Sequence, residues 1–164
     1  GGVGLFLLQL AAAAGVITIG VGREAMHAQM RGLGAAACID YTREDVPARA
    51  RALAGGPVDA IADLVGGGLA RSACAALRPG GQIAAIATPD LDLDPLLDAN
   101  ITFHGVLIQD DGDRTRALAD LLGRRELRPV ISRVLPLDAA AEAHRILEAG
   151  HAGGKIVLDV TGSL

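Results

Sequence analysis

The sequence predicts an α/β chain organised as a doubly wound parallel sheet. Short β-branched runs alternate with longer runs rich in Ala, Leu and Arg, and this alternation implies βαβ units. Gly15, Gly34, Gly55 and Gly80 follow helical stretches, where a left-handed cap favours glycine. Runs such as 83–86 are continuously apolar, which suits a sheet covered on both faces.

Taken in order, residues 5–14 form the first helix. Leu5, Phe6, Leu7, Leu8, Leu10 and the alanines at 11–14 leave it apolar nearly all round, so burial on most sides is expected. Strands are expected at 16–19, 37–39, 58–65, 82–86 and 102–108, with helices at 24–33, 46–53, 69–77 and 114–122 between or after them. The last of these is amphipathic, with Leu118, Leu121 and Leu122 inward and arginines outward. After Glu126 the pattern changes. Arg128-Pro129 breaks the helix, and 130–137 reads as a strand with Pro136 at its exit. Leu137-Asp138 caps a helix over 139–149 ended by Gly150, and a strand over 156–160 follows. Composition leaves open whether these elements extend the sheet or belong to a second domain.

Composition narrows the functional classes. At 164 residues the chain suits one compact domain, or one plus part of another. Its 51% hydrophobic content excludes disorder, and its net charge of −4 gives nucleic acid no basic surface to meet. The apolar run at 3–16 lacks a basic flank and falls short of the ~20 residues that span a bilayer, so no membrane partner is expected. Cys38 and Cys74 stand far apart with no CxxC pair, and are expected as small buried hydrophobes in a reducing cytoplasm. The chain opens on Gly rather than Met, inside a glycine cluster, and is expected to be a fragment.

That cluster is the first functional signal. Gly1, Gly2 and Gly4 stand immediately before a helix, whose free N–H groups and dipole suit a phosphate. Gly1 and Gly4 have the spacing of the last two glycines in G-x-G-x-x-G, a dinucleotide fingerprint, although the strand that should precede it is not in the sequence. Three glycines before a helix also serve as a plain tight turn. The second signal follows the strand at 16–19, where dinucleotide folds that take NAD place a carboxylate on the ribose. Here Val21 and Gly22 lead to Arg23, so a guanidinium stands where a 2′-phosphate would sit, which favours NADP over NAD; a solvated residue at a helix start is the other reading of Arg23. Glu24 beside it weakens the positive field.

The runs GGVGLFLLQLAAAAG, GLGAAACIDYTRED, VDAIADLVGG, LRPGGQIAAI and LRPVISRVLPLDAAAEAHRILEAGHAGGKIVLDV together resemble the medium-chain dehydrogenase/reductase superfamily. Within it, the resemblance is to the quinone oxidoreductase-like and zinc-binding-dehydrogenase-like branch, and it covers essentially the whole chain. It implies a Rossmann domain over 1–126 that lacks its first strand. Residues 127–164 would return to a GroES-like catalytic domain upstream of Gly1. It further implies a coenzyme with its pyrophosphate at Gly1, Gly2 and Val3 and its adenosine phosphate near Arg23 and Tyr41. Gly66, Gly67, Thr88, Leu107 and Ile108 would pass beside the ribose and nicotinamide. Many NADP-using members carry Ser, or a Lys further into the helix, where this chain has Arg23, so NAD stays open as the coenzyme.

Other candidates read as structural. His27, His104, His144 and His151 share no ligand spacing, so no metal site is expected. Asp90, Asp92, Asp94 and Asp98, and likewise Asp110, Asp111 and Asp113, read as solvated loops and helix caps, because neither stretch has a calcium loop's glycine and terminal Glu. Asp63, near a strand C-terminus, is expected to orient backbone amides. No Ser/His/Asp triad assembles and no catalytic residue is assigned; proton donors and any zinc ligands are expected in the absent domain. Strand 101–108 is expected at a sheet edge, where a homodimer would join.

The resulting expectation is a fragment, inactive alone, of a cytoplasmic NADP(H)-dependent oxidoreductase. It would pass hydride between nicotinamide and a quinone, enone, aldehyde or alcohol. A zinc alcohol dehydrogenase, an enoyl reductase module and a catalytically silent nucleotide-binding module are the alternatives.

Overall fold

The computed structural model describes residues 1–90, 92–150 and 152–162, so the expectation for His151 lies outside the described residues. The chain forms two compact units: Ile17–Asp110, and Gly1–Val16 together with Asp111–Leu164.

In the unit Ile17–Asp110, β1 (Thr18–Val21) pairs in parallel with β2 (Ala35–Ile39). A second parallel sheet has the order β3 (Val58–Asp63), β4 (Leu77–Ala85), β5 (Thr102–Gly105). Parallel pairing throughout agrees with the expected α/β class. Among the described residues, however, β1 bonds only to β2 and β3 only to β4, so the strands form two sheets rather than one. The intervening helices are α2 (His27–Gly32), α3 (Val46–Ala54) and α4 (Gly68–Ala73). α3 shows why its boundaries fall where they do. The Asp45 carboxylate accepts from the Ala48 N–H at 2.8 Å, and Gly55 ends the helix at φ +72.

The core of the second sheet is Leu77, Ile83 and Leu96, packed by Val58, Ile61, Cys74 and Ile101. Ile83 and Ile39 are 0% exposed. Burying a side chain of this size contributes about 1.5–3 kcal/mol.

Several elements differ from the expectations. The helix read over 69–77 is cut to α4 and a 3₁₀ turn, Cys74–Ala76, and β4 starts at Leu77, so Gly80 lies within β4, its N–H donating to the Ala99 carbonyl at 2.8 Å, instead of ending a helix. Residues 94–98, read as acidic loop, form the short helix α5 (Asp94–Asp98), because Leu96 turns into the core. β5 stops at Gly105 rather than running to 108. Its partner β4 ends at Ala85, opposite Gly105, and the last ladder bond is Val106 N–H to the Ala85 carbonyl at 2.8 Å. Helix 24–33 is split into a 3₁₀ turn, Glu24–Met26, and α2.

The other unit holds α1 (Gly2–Ala13), α6 (Gly112–Gly123), β6 (Ile131–Pro136), α7 (Ala140–Glu148) and β7 (Lys155–Asp159). β6 and β7 pair in parallel. α6 starts where the Asp111 carboxylate accepts from the Arg114 N–H at 2.9 Å, a cap of the kind expected for these acids. The Gln9 amide of α1 donates to the Arg128 carbonyl at 3.0 Å and accepts from the Arg128 N–H at 2.9 Å. Burial is thinner than the patterns suggest. Only Leu5 and Leu8 of α1 are buried, and α6 has no buried residue, with Leu118 and Leu122 exposed. Asp138 does not cap α7 with its side chain; it lies in a 3₁₀ turn, Leu137–Ala139.

Candidate functional site

The first group of candidates surrounds the start of α1. Gly1 occupies the cap position without a side chain, and the first helical bond runs from the Leu5 N–H to the Gly1 carbonyl at 3.1 Å. The N–H groups of Gly2, Val3 and Gly4 therefore have no intrahelical acceptor. No acidic residue stands in the first turn to complement the dipole. Against this turn lies a cation that the sequence reading did not single out. A Cβ on Gly2 would lie 2.7 Å from both Cε and Nζ of Lys155.

The lysine is delivered by the entry into β7. The Lys155 N–H donates to the Val130 carbonyl at 2.7 Å, and a Cβ on Gly154 would come within 2.6 Å of that same carbonyl. Glycine at 154 thus lets the β7 backbone approach Val130. The ammonium makes no ion pair among the described residues. A lysine and three N–H groups at the positive end of a helix form an arrangement that suits an anion.

The second group lies at the C-terminal ends of β1 and β2, in the unit Ile17–Asp110. Arg23 Nε donates to the Tyr41 hydroxyl at 3.3 Å, so these two expected site residues meet. Asp40, 6% exposed, ties the two loops together. Its Oδ1 accepts from the Thr42 N–H at 2.9 Å and hydroxyl at 2.7 Å, and its Oδ2 accepts from the Glu24 N–H at 3.3 Å. The hydrogen bonds from Thr42 hold the Asp40 carboxyl below the usual carboxylate range, outweighing the opposing effect of burial. Arg43 reaches back to Glu24, Nη1 to Oε2 at 2.6 Å. The His27 ring bonds the Gly22 carbonyl at 3.0 Å and steadies the turn that carries Arg23.

The third group is the loop after β3. Asp63, 5% exposed, accepts at Oδ1 from the N–H groups of Val65 at 3.0 Å and Gly66 at 2.9 Å, the amide-orienting role expected of it. Its Oδ2 is buried with no partner among the described residues. Gly66 has φ +81, and a Cβ there would stand 2.6 Å from the Thr88 carbonyl, so only glycine fits. That carbonyl accepts from the Gly67 N–H at 3.1 Å. Gly66, Gly67 and Thr88 are therefore joined in one tight loop contact. Leu107 and Ile108, 81% and 86% exposed, lie on the stretch after β5 rather than in a strand.

Two further residue types bear on chemistry. Burial pushes the Cys38 and Cys74 thiols up, so neither is an activated nucleophile. Among the described residues, no three His, Cys, Asp or Glu side chains form a group able to hold a metal ion. No described helix is long and apolar enough to cross a membrane.

A sequence profile described as zinc-binding dehydrogenase matches residues 33–158. The chain belongs to this family. It is 29% identical to the mouse mitochondrial NAD(P)H oxidoreductase RTN4IP1, with 98% of the chain aligned to 46% of that protein. It therefore spans about half the length of the relatives it matches. The quinone oxidoreductase of Coxiella burnetii superposes with a TM-score of 0.81 at 34% identity, over 97% of this chain and 50% of that one. Mycobacterial Rv1454c, solved in complex with NADPH, superposes with a TM-score of 0.83 at 27% identity, over 96% of this chain and 53% of its own.

A nicotinamide dinucleotide fits the residues present. In the unit that holds α1 and β7, Lys155 and the first turn of α1 suit a diphosphate; in the unit Ile17–Asp110, taken by itself, the sterically obligatory Gly66 suits close backbone approach. Within the unit Ile17–Asp110, two guanidiniums stand where β1 and β2 end, an arrangement that suits a phosphate group.

Proposed function

We propose that this chain is the coenzyme-holding part of an NADP(H)-dependent oxidoreductase acting on a quinone, enone, aldehyde or alcohol. The observation that carries the reading is the Lys155 ammonium against Gly2, at the first turn of α1. Family membership and the oxidoreductase and NADPH-bound relatives support it.

When bound, the nicotinamide supplies or accepts the hydride. The work of this chain is binding and orientation. Lys155 and the N–H groups of Gly2, Val3 and Gly4 neutralise the diphosphate. Arg23, with the Tyr41 hydroxyl, takes the phosphate that distinguishes NADP from NAD. Asp63, by fixing the amides of Val65 and Gly66, sets the shape of the loop that runs beside the ribose and nicotinamide. Positioning of this kind turns a bimolecular encounter into an oriented one. Saturable binding of NADPH to the intact protein, weakened in Lys155→Gln, is the expected result of the titration that tests the reading.

A second copy of the chain is the proposed partner along β5. That strand is the edge of its sheet, and Phe103, Val106, Leu107 and Ile108 are exposed on and beyond it. Sedimentation of the intact protein as a dimer, shifted toward monomer by Ile108→Lys, is the expected outcome.

A further inference from the structure

The ends of β1 and β2 enclose an open cleft of about 540 Å³ lined by Arg23, Glu24, Ala25, Asp40, Thr42 and Arg43. Its charges are not equivalent. Asp40 is buried and both of its oxygens already accept hydrogen bonds, so it is a fixed part of the wall. Glu24 and Arg43 are different: both side chains are about two-thirds exposed, and they meet through one short contact, 2.6 Å between Oε2 and Nη1. An ion pair so open to water is weak and readily exchanged. A phosphomonoester carries more charge than a carboxylate and offers three acceptor oxygens, so it competes well for a guanidinium.

We infer that Glu24 is the resident counter-ion of Arg43, which an entering 2′-phosphate takes over, so that the Glu24–Arg43 pair sets coenzyme preference in this cleft. The inference rests on the coenzyme reading above and adds two residues to it. Glu24 acts against the phosphate twice. It occupies Arg43, and once displaced it leaves a negative charge at the cleft wall. Arg43 acts for the phosphate from the loop after β2, two residues beyond Tyr41. Neither residue has a role with a coenzyme that lacks the 2′-phosphate.

Titration of the intact protein with NADPH and with NADH, followed by nicotinamide fluorescence, tests this in the Glu24→Gln and Arg43→Gln variants. Glu24→Gln is expected to tighten NADPH about three-fold, and Arg43→Gln to weaken it about ten-fold, with NADH affinity held within roughly two-fold in both. An NADPH-to-NADH affinity ratio unchanged in both variants overturns the inference, as does weaker NADPH binding by Glu24→Gln. Loss of both coenzymes in parallel leaves that ratio unchanged and counts against it equally. If the unsubstituted protein binds neither coenzyme, the proposed function falls and the inference with it. If it binds both and only the variants fail to discriminate, this inference alone falls.

Discussion

Lys155 and Gly2 are in contact range: the lysine's Cε and Nζ fill the space that any side chain at position 2 would occupy. The pairing joins the start of a helix to the start of a strand near the other end of the sequence. It brings a cation against the first turn of a helix whose leading N–H groups have no intrahelical acceptor.

This contact predicts the behaviour of Gly2→Ala. A Cβ at 2.7 Å from the end of a flexible side chain displaces that side chain and leaves the backbone in place. The melting temperature should change little, since alanine favours a helix. NADPH and NADH should both bind more weakly, by about ten-fold, because the diphosphate is common to them. Calorimetric titration beside a thermal melt separates the two effects.

Gly66 and Gly67 make a matched pair of tests for the loop after β3. Both have positive φ, +81 and +66, but only Gly66 would also drive a Cβ to 2.6 Å from the Thr88 carbonyl, whereas a Cβ at Gly67 meets open space. Gly67→Ala should cost about 1 kcal/mol, and Gly66→Ala about 2–3 kcal/mol or more, in urea denaturation. Equal costs would mean that the Thr88 backbone yields freely.

Asp40 predicts a pH dependence. Its folded-state carboxyl titrates below the ordinary value of 3.8, chiefly because Thr42 bonds its charged form. A depressed carboxylate contributes stability that is fully present above the unfolded value and lost as pH falls through the folded one. Asp40→Asn should therefore lower the melting temperature near pH 7. The difference from the unsubstituted protein should shrink steadily as the pH drops below 3.8. A constant difference across that window would assign the effect to packing rather than charge.

Ile83→Ala tests the core that positions the ends of β3 and β4. Ile83 is fully buried between Leu77 and Leu96, so truncation should cost about 2–5 kcal/mol, read as a lower urea midpoint with an unchanged slope.

How far these features are legible in the sequence depends on the distance between the residues involved. Alternation of β-branched and alanine-rich runs is local, and it locates β1 to β5 in order with the correct parallel pairing. The cap at Asp45 and the turn at Gly55 are equally local. Where β5 ends is not local, because it is set by where its partner β4 stops, at Ala85. α5 was hidden because its acids read as solvated loop, while the deciding residue, Leu96, is held by Leu77 and Ile83 from other elements. The same holds for the site. The glycines before α1 and the Arg23–Tyr41 pair follow from short motifs and family resemblance. Lys155 was visible only as the residue opening the last strand, in the run GGKIVL. Nothing in its neighbourhood says that it will meet Gly2. Glu24 and Arg43 have neighbours of mixed charge, and their contact depends on the turn that Asp40 ties. The apolar faces of α1 and α6 mislead in the opposite direction, since periodicity reports what a helix can bury and not what covers it.

The measurement that tests the central claim most directly is the fluorescence titration of NADPH into the intact protein and its Lys155→Gln variant. The account predicts saturable binding that weakens about ten-fold in the variant while the melting temperature stays the same. Absence of saturable binding, or a variant that binds as tightly as the unsubstituted protein, contradicts it.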